Sequence, residues 1–276
     1  MSAAQEPTFG LEVAIGSAAA AEVLINDVLL AKKAAGDPGA LSLAIQSDVM
    51  PGRNIVEVLV GTATTGPRAA AAILPAGPSD LFVTLRLQLD RVSGEGPRFE
   101  IATEDLAEED WRPAATGQPV ALPHRMVLAF DAPAETPAPA WAAGEIMRQA
   151  EILNPVMAEL DRLHTLLERR DVEGFTSAML ARYADVARAY PLRGTPRRLR
   201  EEDAAELGQI VGSPGFAMLP IEHHDVRLRL SAGGRLATCV SRDGHPLLRA
   251  RIDGLPVPID MPVLFSLIDG RLQAVR

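Results

Sequence analysis

The sequence predicts two domains: an N-terminal all-β antiparallel sandwich over residues 1–132 and a C-terminal α+β domain over residues 142–276. The chain has 276 residues, which fits about two domains at roughly 150 residues each. The first half consists of short alternating runs punctuated by Gly and Pro, as in a β-sandwich. In the second half, helical periodicity comes first and hairpin signals follow, so helices should pack on an antiparallel meander.

The N-terminal strands are predicted from period-two alternation of apolar residues. The strictest run extends from Leu81 to Leu89, with every second residue apolar. Asn26-Asp27 separates two short apolar runs, and both residues tolerate positive φ, so a tight hairpin is expected there. The acid-rich residues 104–119 are predicted as a loop or a short helical turn. Further strands are expected in the runs LEVAI, LSLAI, NIVEVLV, RFEIA and RMVLAFDA.

A linker and a group of helices are predicted to follow. Residues 133–141 are rich in Pro and Ala without a period, which is typical of a semi-rigid linker. Helices are expected over residues 142–210. Asp171 can cap one helix, whose apolar stripe extends from Val172 to Tyr190, and acids open another helix at residue 201. The first apolar stripe contains Ile146, Ala150, Leu153, Met157, Leu160, His164 and Leu167. Asn154-Pro155 interrupts it, which predicts either a kink or two helices.

The C-terminal residues 222–276 are predicted to form a β-meander. Alternating apolar runs are separated by one Gly-Gly pair and three Asp-Gly pairs, which are strong hairpin signals. These pairs are Gly233-Gly234, Asp243-Gly244, Asp253-Gly254 and Asp269-Gly270.

The charge of the chain is unevenly distributed. Residues 1–140 hold 9 basic and 18 acidic side chains, whereas residues 141–276 hold 18 of each. An acidic first half repels nucleic acid and anionic membranes and attracts a basic partner. An alternative is that the acids only keep the domain soluble.

Composition also predicts the compartment. The N-terminus lacks a basic region followed by an uninterrupted apolar run, and no stretch approaches the ~18 apolar residues of a membrane span, so a cytoplasmic protein is expected. Of the 27 basic residues, 25 are arginine, a bias that indicates a GC-rich, bacterial genome. The one cysteine, Cys239, excludes an intramolecular disulfide.

Two stretches resemble known fold classes. The segment from Val23 to Val60, with its N-D turn and P-G-R-N-I-V-E-V-L-V strand, resembles jelly-roll domains of the galactose-binding-like class. The C-terminal P-V-L-F-S-L-I-D-G-R-L-Q-A-V-R, after a set of helices, resembles the last strands of the cone-shaped nuclear transport factor 2-like class. Members of that class include enzymes, pocket binders and interaction modules, so the resemblance implies a fold rather than a function.

The second half contains candidate pocket residues. Tyr183 and Tyr190 are seven residues apart on one helix stripe, and in a cone they would line a pocket with Asp225 and His164. Tyrosine and a carboxylate around an enol would suit an isomerase, and His164 would suit a general base. The alternative is that these side chains pack in the core.

Other candidate residues lie at predicted surfaces. Arg193, Arg197, Arg198 and Arg200 form a basic group in a predicted loop rich in Pro and Gly, which suits an acidic partner or a phosphate, although pairing with the acids at 201–203 is an alternative. Trp111 is a candidate partner-binding aromatic residue. His223 and His224 are adjacent and would point to opposite faces of a strand, so no metal site is predicted.

These observations favour a non-catalytic bacterial binding protein, with no catalytic residue and no cofactor. Its acidic N-terminal domain would engage a macromolecular partner, most simply a protein, as an inhibitor or immunity-type protein engages a basic toxin. The alternative is small-molecule binding or isomerase-like activity in the C-terminal cone. A third hypothesis is carbohydrate binding by the sandwich, which requires exposed aromatic residues near Trp111. Exposed sheet edges also allow a homodimer.

Overall fold

A computed structural model describes residues 8–276, except residues 38, 64–66, 69–70, 75–78, 96–97 and 116–117. The fold is mixed, with several antiparallel sheets and, in the described part of the chain, four α-helices. By its contacts the chain divides into two compact units, Met1–Ala138 and Pro139–Arg276. Among the described residues, no helix is long and apolar enough to cross a membrane.

The strands of the first unit are β1 Thr8–Ile15, β2 Ala19–Ile25, β3 Val28–Lys33, β4 Ala40–Ala44, β5 Gly52–Thr62, β6 Ala72–Leu74, β7 Val83–Glu95, β8 Arg98–Trp111, β9 Val120–Leu122 and β10 His124–Ala132. They form two four-stranded antiparallel sheets, ordered β4-β1-β7-β8 and β10-β5-β2-β3, and a small pair β6-β9.

Alternation along these strands creates one hydrophobic core. From Leu81 through β7 to Leu89 every second residue is buried and each residue between them is half-buried, as the sequence predicts. The buried cluster draws side chains from both four-stranded sheets, including Leu11 and Leu85 of one and Val23 and Val58 of the other. Burying each such side chain stabilises the fold by about 1.5–3 kcal/mol.

The Asn26-Asp27 hairpin between β2 and β3 is confirmed. Both residues have positive φ, 50° and 66°, and Ile25 pairs directly with Val28. Asn26 and the fully buried Asn54 of β5 then tie this turn to the next loop, because the Asn26 Nδ2 donates to the Asn54 Oδ1 at 2.8 Å.

The prediction of a loop or a short helical turn over residues 104–119 is wrong for residues 104–111, whereas residues 113–115 do form a short 3-10 turn. Residues 104–111 belong to β8, which pairs with β7 along thirteen residues of β7. Trp111 is therefore the last residue of a strand. The cause is polar cross-strand pairing, which stabilises a strand without apolar alternation.

The second unit begins with helices: α1 Gln149–Glu168, α2 Val172–Ala178, α3 Leu180–Ala189 and α4 Pro196–Gly212. The first is a single helix that continues through Pro155. Ile146 and Ala150 are exposed, because the helix begins at Gln149 and its buried stripe starts at Ile152. The Asp171 cap is confirmed, since its Oδ1 accepts a hydrogen bond from the Gly174 N–H at 2.8 Å.

The second-unit strands are β11 Ala217–Met218, β12 Val226–Ser231, β13 Leu236–Ser241, β14 Arg249–Arg251, β15 Ile259–Asp260, β16 Phe265–Ile268 and β17 Arg271–Ala274. They form two sheets, ordered β12-β13-β16-β17 and β11-β14-β15, rather than one continuous meander. The hairpins at Gly233-Gly234 and Asp269-Gly270 are confirmed, with positive φ at all four residues. After Asp243-Gly244 the chain leaves the first sheet and enters the second.

The segment before α1 is packed against the second unit. Trp141, the last residue of the predicted linker, is buried in a short 3-10 helix, Ala140–Ala143. The Ala140 N–H donates to the buried carboxylate of Asp185 at 2.8 Å. Residues from Pro139 onward therefore belong to the second unit.

Candidate functional site

The outward side of the sheet β4-β1-β7-β8 carries a group of carboxylates, which we call the acidic face. Because the apolar residues of β1 and β7 point into the core, the residues between them point outward. The acidic face consists of Glu12 of β1, Asp90 of β7, and Asp105, Glu108 and Asp110 of β8.

Arg86 of β7 lies in the middle of the acidic face. Its guanidinium is 3.2 Å from a carboxylate oxygen of Glu108, 3.6 Å from one of Asp105 and 3.8 Å from one of Glu12. The hydrogen bond and the negative charge of Glu108 raise the pKa of Arg86, and Asp105 and Glu12 raise it further. One guanidinium neutralises only one of three carboxylates, so the centre of the face keeps a negative charge.

A second cation lies at one end of the acidic face. Arg112 pairs with Asp110 at 2.9 Å and lies 4.7 Å from the centroid of the Phe82 ring. The Thr84 hydroxyl donates to the Asp110 Oδ1 at 2.6 Å. The hydrogen bond from Thr84 lowers the pKa of Asp110, and Arg112 contributes to the same shift, so this carboxylate is ionised at neutral pH.

A register shift places the other acids on the same side. Gln88 pairs with Asp105 rather than Leu106, which is an extra residue in β8 and is exposed. The Gln88 Nε2 donates to the Asp105 Oδ1 at 3.0 Å, and the Thr103 hydroxyl donates to the Asp90 Oδ1 at 2.7 Å. Both halves of β8 thereby present carboxylates outward.

The acidic face continues into a surface of small side chains. Apart from Thr8 and Glu12, the outward residues of β1 and β4 are half-buried or exposed and carry at most a methyl or hydroxyl group. They are Gly10, Ala14, Ala40, Ser42 and Ala44. A partner could therefore approach the sheet closely beside the charged strands.

Trp111 is half-buried and packs against the core of the first unit. Its ring stacks on the His124 ring, with centroids 4.2 Å apart and planes 8° apart. Burial lowers the pKa of His124, so the stacked imidazole is neutral at neutral pH. One face of Trp111 is thus covered, and the ring is not a free stacking platform.

Tyr183 is buried in the core of the second unit, 3% exposed. Burial, followed by the charge of Asp203 on α4, raises its pKa to about 12. Arg182 lies 5.6 Å from its ring and forms an ion pair with Asp203 at 2.6 Å. These contacts connect α3 to α4. They agree with the alternative prediction, in which Tyr183 packs in the core.

The other three pocket candidates lie on different elements. The His164 Nε2 lies 2.9 Å from the main-chain oxygen of Leu219, so the ring connects α1 to the segment before β12. Tyr190 directly follows α3, and its hydroxyl oxygen is buried. Asp225 ends a single 3-10 turn and is half-buried. That these residues share a ligand pocket stays a prediction.

The arginine group does not lie in one loop. Arg193 is exposed in a 3-10 turn, whereas Arg197, Arg198 and Arg200 lie in the first turns of α4. The cause is the Thr195-Pro196 pair, where Thr195 caps the helix and Pro196 occupies its first position. The three helical arginines pair with Glu201 at 2.8 Å, Glu202 at 2.7 Å and Glu173 at 3.1 Å respectively. Partner binding by this group stays a prediction.

The histidine pair has separate neighbours. The His223 Nε2 is 3.2 Å from Asp161 of α1, and the His224 Nε2 is 3.8 Å from Glu222. Across the described residues, no three His, Cys, Asp or Glu side chains converge as a metal site would require. Cys239 is buried, and burial raises its pKa to about 12, so its thiol is protonated at neutral pH.

The acidic face was not identified from the sequence residue by residue. The outward position of Arg86 and Gln88 could have been predicted, because both alternate with the buried leucines of β7. The partners on β8 could not be found in this way, because the register shift at Leu106 is invisible in apolar alternation.

Comparison of the chain with protein-family models, curated proteins and solved structures finds no match.

Proposed function

We propose that this protein is a non-catalytic binding protein whose acidic face holds a basic surface of a partner protein. The observation that carries the proposal is the arrangement around Arg86, where three carboxylates surround one guanidinium on an open sheet face. Charges fixed in this way steer a partner of opposite sign and select its orientation. Nucleic acid, which is polyanionic, would be repelled.

Two features support a protein partner rather than a small ligand. The carboxylates spread over three strands, so their charge covers a broad surface rather than a cleft. The adjoining small side chains of β1 and β4 allow close contact with a second surface. A fixed, flat and charged surface suits a folded partner, because little conformational entropy is lost on binding.

The fold proposal is that residues 1–132 form a β-sandwich domain and residues 142–276 form a separate α+β domain. The shared core of the two first-unit sheets supports the sandwich, since their apolar sides contribute to one buried cluster. The division into two compact units, at residues 138 and 139, supports the separation. The binding surface would then belong to the first domain alone.

The test is a capture experiment with two variants of equal charge. Glu12→Gln, Asp105→Asn and Glu108→Gln together remove the carboxylates around Arg86. The control variant, Glu135→Gln, Glu168→Gln and Glu206→Gln, removes three exposed carboxylates elsewhere. The full chain and both variants are expressed in the native host and analysed by native mass spectrometry.

We expect a basic protein at fixed stoichiometry on the full chain and on the control, and its loss from the acidic-face variant. Because the interaction is between surface charges, raising the salt concentration should also release it. The proposal is refuted if the chain carries no protein partner, or if the control loses the partner to the same extent.

A further inference from the structure

The strand β10 is an unprotected sheet edge. It ends the order β10-β5-β2-β3, and its nine residues pair with β5 without a register shift. The other main edges of the first unit are protected in recognised ways. β3 contains a bulge at Leu30 and carries the exposed Lys32, β4 has only five residues, and β8 combines a bulge with carboxylates.

The outward side of β10 is exposed along its length. Arg125, Val127, Ala129 and Asp131 alternate with the buried Met126 and Leu128. Val127, in the middle of the strand, is 44% exposed. No strand of the described residues pairs with its outer edge, so β10 offers main-chain groups for pairing and an apolar centre between two opposite charges.

These charges are arranged so that β10 complements itself. When two copies run antiparallel with Leu128 on the two-fold axis, Arg125 lies opposite Asp131 of the second copy, and Val127 lies opposite Ala129. The two-fold axis generates a second, equivalent copy of each of these two pairs. Directly opposite side chains in antiparallel strands have Cβ atoms about 4.5–5.5 Å apart, within reach of an ion pair.

We infer that β10 pairs with the β10 of a second copy of this chain, in this register, and joins two four-stranded sheets into one eight-stranded sheet. Moving either strand by two residues would separate Arg125 from Asp131, so the charges select the register. The same surface is used on both copies, and this isologous contact closes at a dimer.

The charges within one copy are consistent with this pairing. The Arg125 guanidinium contacts Glu57 of β5, yet 61% of its side chain remains exposed to a second partner. Asp131 is exposed and forms no ion pair with any described residue of its own copy. In the dimer, Asp131 would join Glu57 and Arg125 in a short network at each end of the interface.

The inference goes beyond the proposed function, because β10 and the acidic face lie in different sheets. Loss of the dimer and loss of the basic partner would therefore be separate results. Each would be measured on its own variants.

Sedimentation equilibrium of the full chain, from low to high micromolar concentrations, measures the dimer. Asp131→Arg places two arginines opposite each other at both ends of the interface. Glu135→Arg, an equal change of charge at an exposed residue just after β10, is the control. We expect Asp131→Arg to raise the dissociation constant about ten-fold or more, equivalent to about 1.4 kcal/mol, and Glu135→Arg to leave it unchanged. Circular dichroism verifies that both variants are folded.

The register is tested by disulfide formation between variants that each carry one introduced cysteine. Val127→Cys and Ala129→Cys lie opposite each other only between copies, so a disulfide should form in an equimolar mixture and much more slowly in either variant alone. The native Cys239 is buried and should not compete. A chain that stays monomeric, a dimer insensitive to Asp131→Arg, or cross-linking that is as fast in one variant alone would overturn the inference.

Discussion

Replacing Asn54 should strongly destabilise the first unit, because its buried side chain makes four hydrogen bonds. Asn54 is 0% exposed. Its Oδ1 accepts hydrogen bonds from the Asn26 Nδ2 and the Met50 N–H, both at 2.8 Å. Its Nδ2 donates to the main-chain oxygens of Met50 at 2.7 Å and Gly52 at 2.8 Å. The side chain thus holds the Asn26 turn and the loop before β5 together.

The magnitude follows from these four bonds. Each is worth about 0.5–1.5 kcal/mol net, and a buried group left unpaired costs more. Met50 and Gly52 are half-buried, so water can replace part of what is lost. Asn54→Ala should therefore lower the free energy of unfolding by about 3 kcal/mol, a large share of the ~5–15 kcal/mol of a typical domain.

Asn54→Asp separates the donor role from the acceptor role. It keeps an oxygen for Met50 and Asn26, but places a second carboxylate oxygen against the two main-chain oxygens. At neutral pH it should be at least as destabilising as alanine. The two main-chain oxygens would raise the pKa of this carboxyl in the folded state, so the loss should shrink as the pH falls towards the usual pKa of about 4 and the protonated carboxyl regains a donor.

Urea unfolding monitored by hydrogen exchange of peptides from β2, β3 and β5 measures this effect on the first unit. Asn154→Ala, at an exposed residue of α1, is the matched control and should change stability by less than about 0.5 kcal/mol. If Asn54→Ala costs no more than this control, the hydrogen-bond argument is wrong.

Three further predictions concern the second unit. Asp171→Ala removes the acceptor of the Gly174 N–H and should cost about 1 kcal/mol in urea unfolding, whereas Asp171→Ser should recover most of it. The raised pKa of Tyr183 means that the folded state keeps its proton longer than the unfolded state. Stability should therefore fall between about pH 10 and about pH 12, less steeply in Tyr183→Phe, and equal slopes would contradict this. Cys239 should resist iodoacetamide at pH 8 in the native protein and react once urea unfolds it, as mass spectrometry would detect.

Much of the first unit could be predicted because its strands obey simple alternation. β7 buries every second residue from Val83 to Leu89, and the Asn26-Asp27 turn has the backbone that a two-residue hairpin requires. β8 could not be predicted as a strand through residues 104–111, because its pairing with β7 depends on polar cross-strand contacts. The acidic charge of the first half was visible in the sequence, but not its convergence on Arg86.

The second unit shows the complementary limits. The Thr195-Pro196 helix start was present in the sequence, and the nearby glycine and prolines favoured a loop instead. The stripe from Val172 to Tyr190 belongs to two helices, because the backbone departs from helical geometry at Met179. Hairpin signals located turns correctly, yet they do not specify which sheet the next strand joins, so the meander was predicted as one sheet.

The bulge at Leu106 also determines how β8 tolerates changes in length. Removing one residue from a regular strand moves every side chain beyond it to the opposite side of the sheet. Leu106 is the extra residue at the register shift, so its deletion would leave Asp105 and Glu108 on the side they now share. Deletion of any neighbouring residue within the regular part of the strand would turn half of the carboxylates inward. β8 thus has one position at which the chain can be shortened without rearranging its surface.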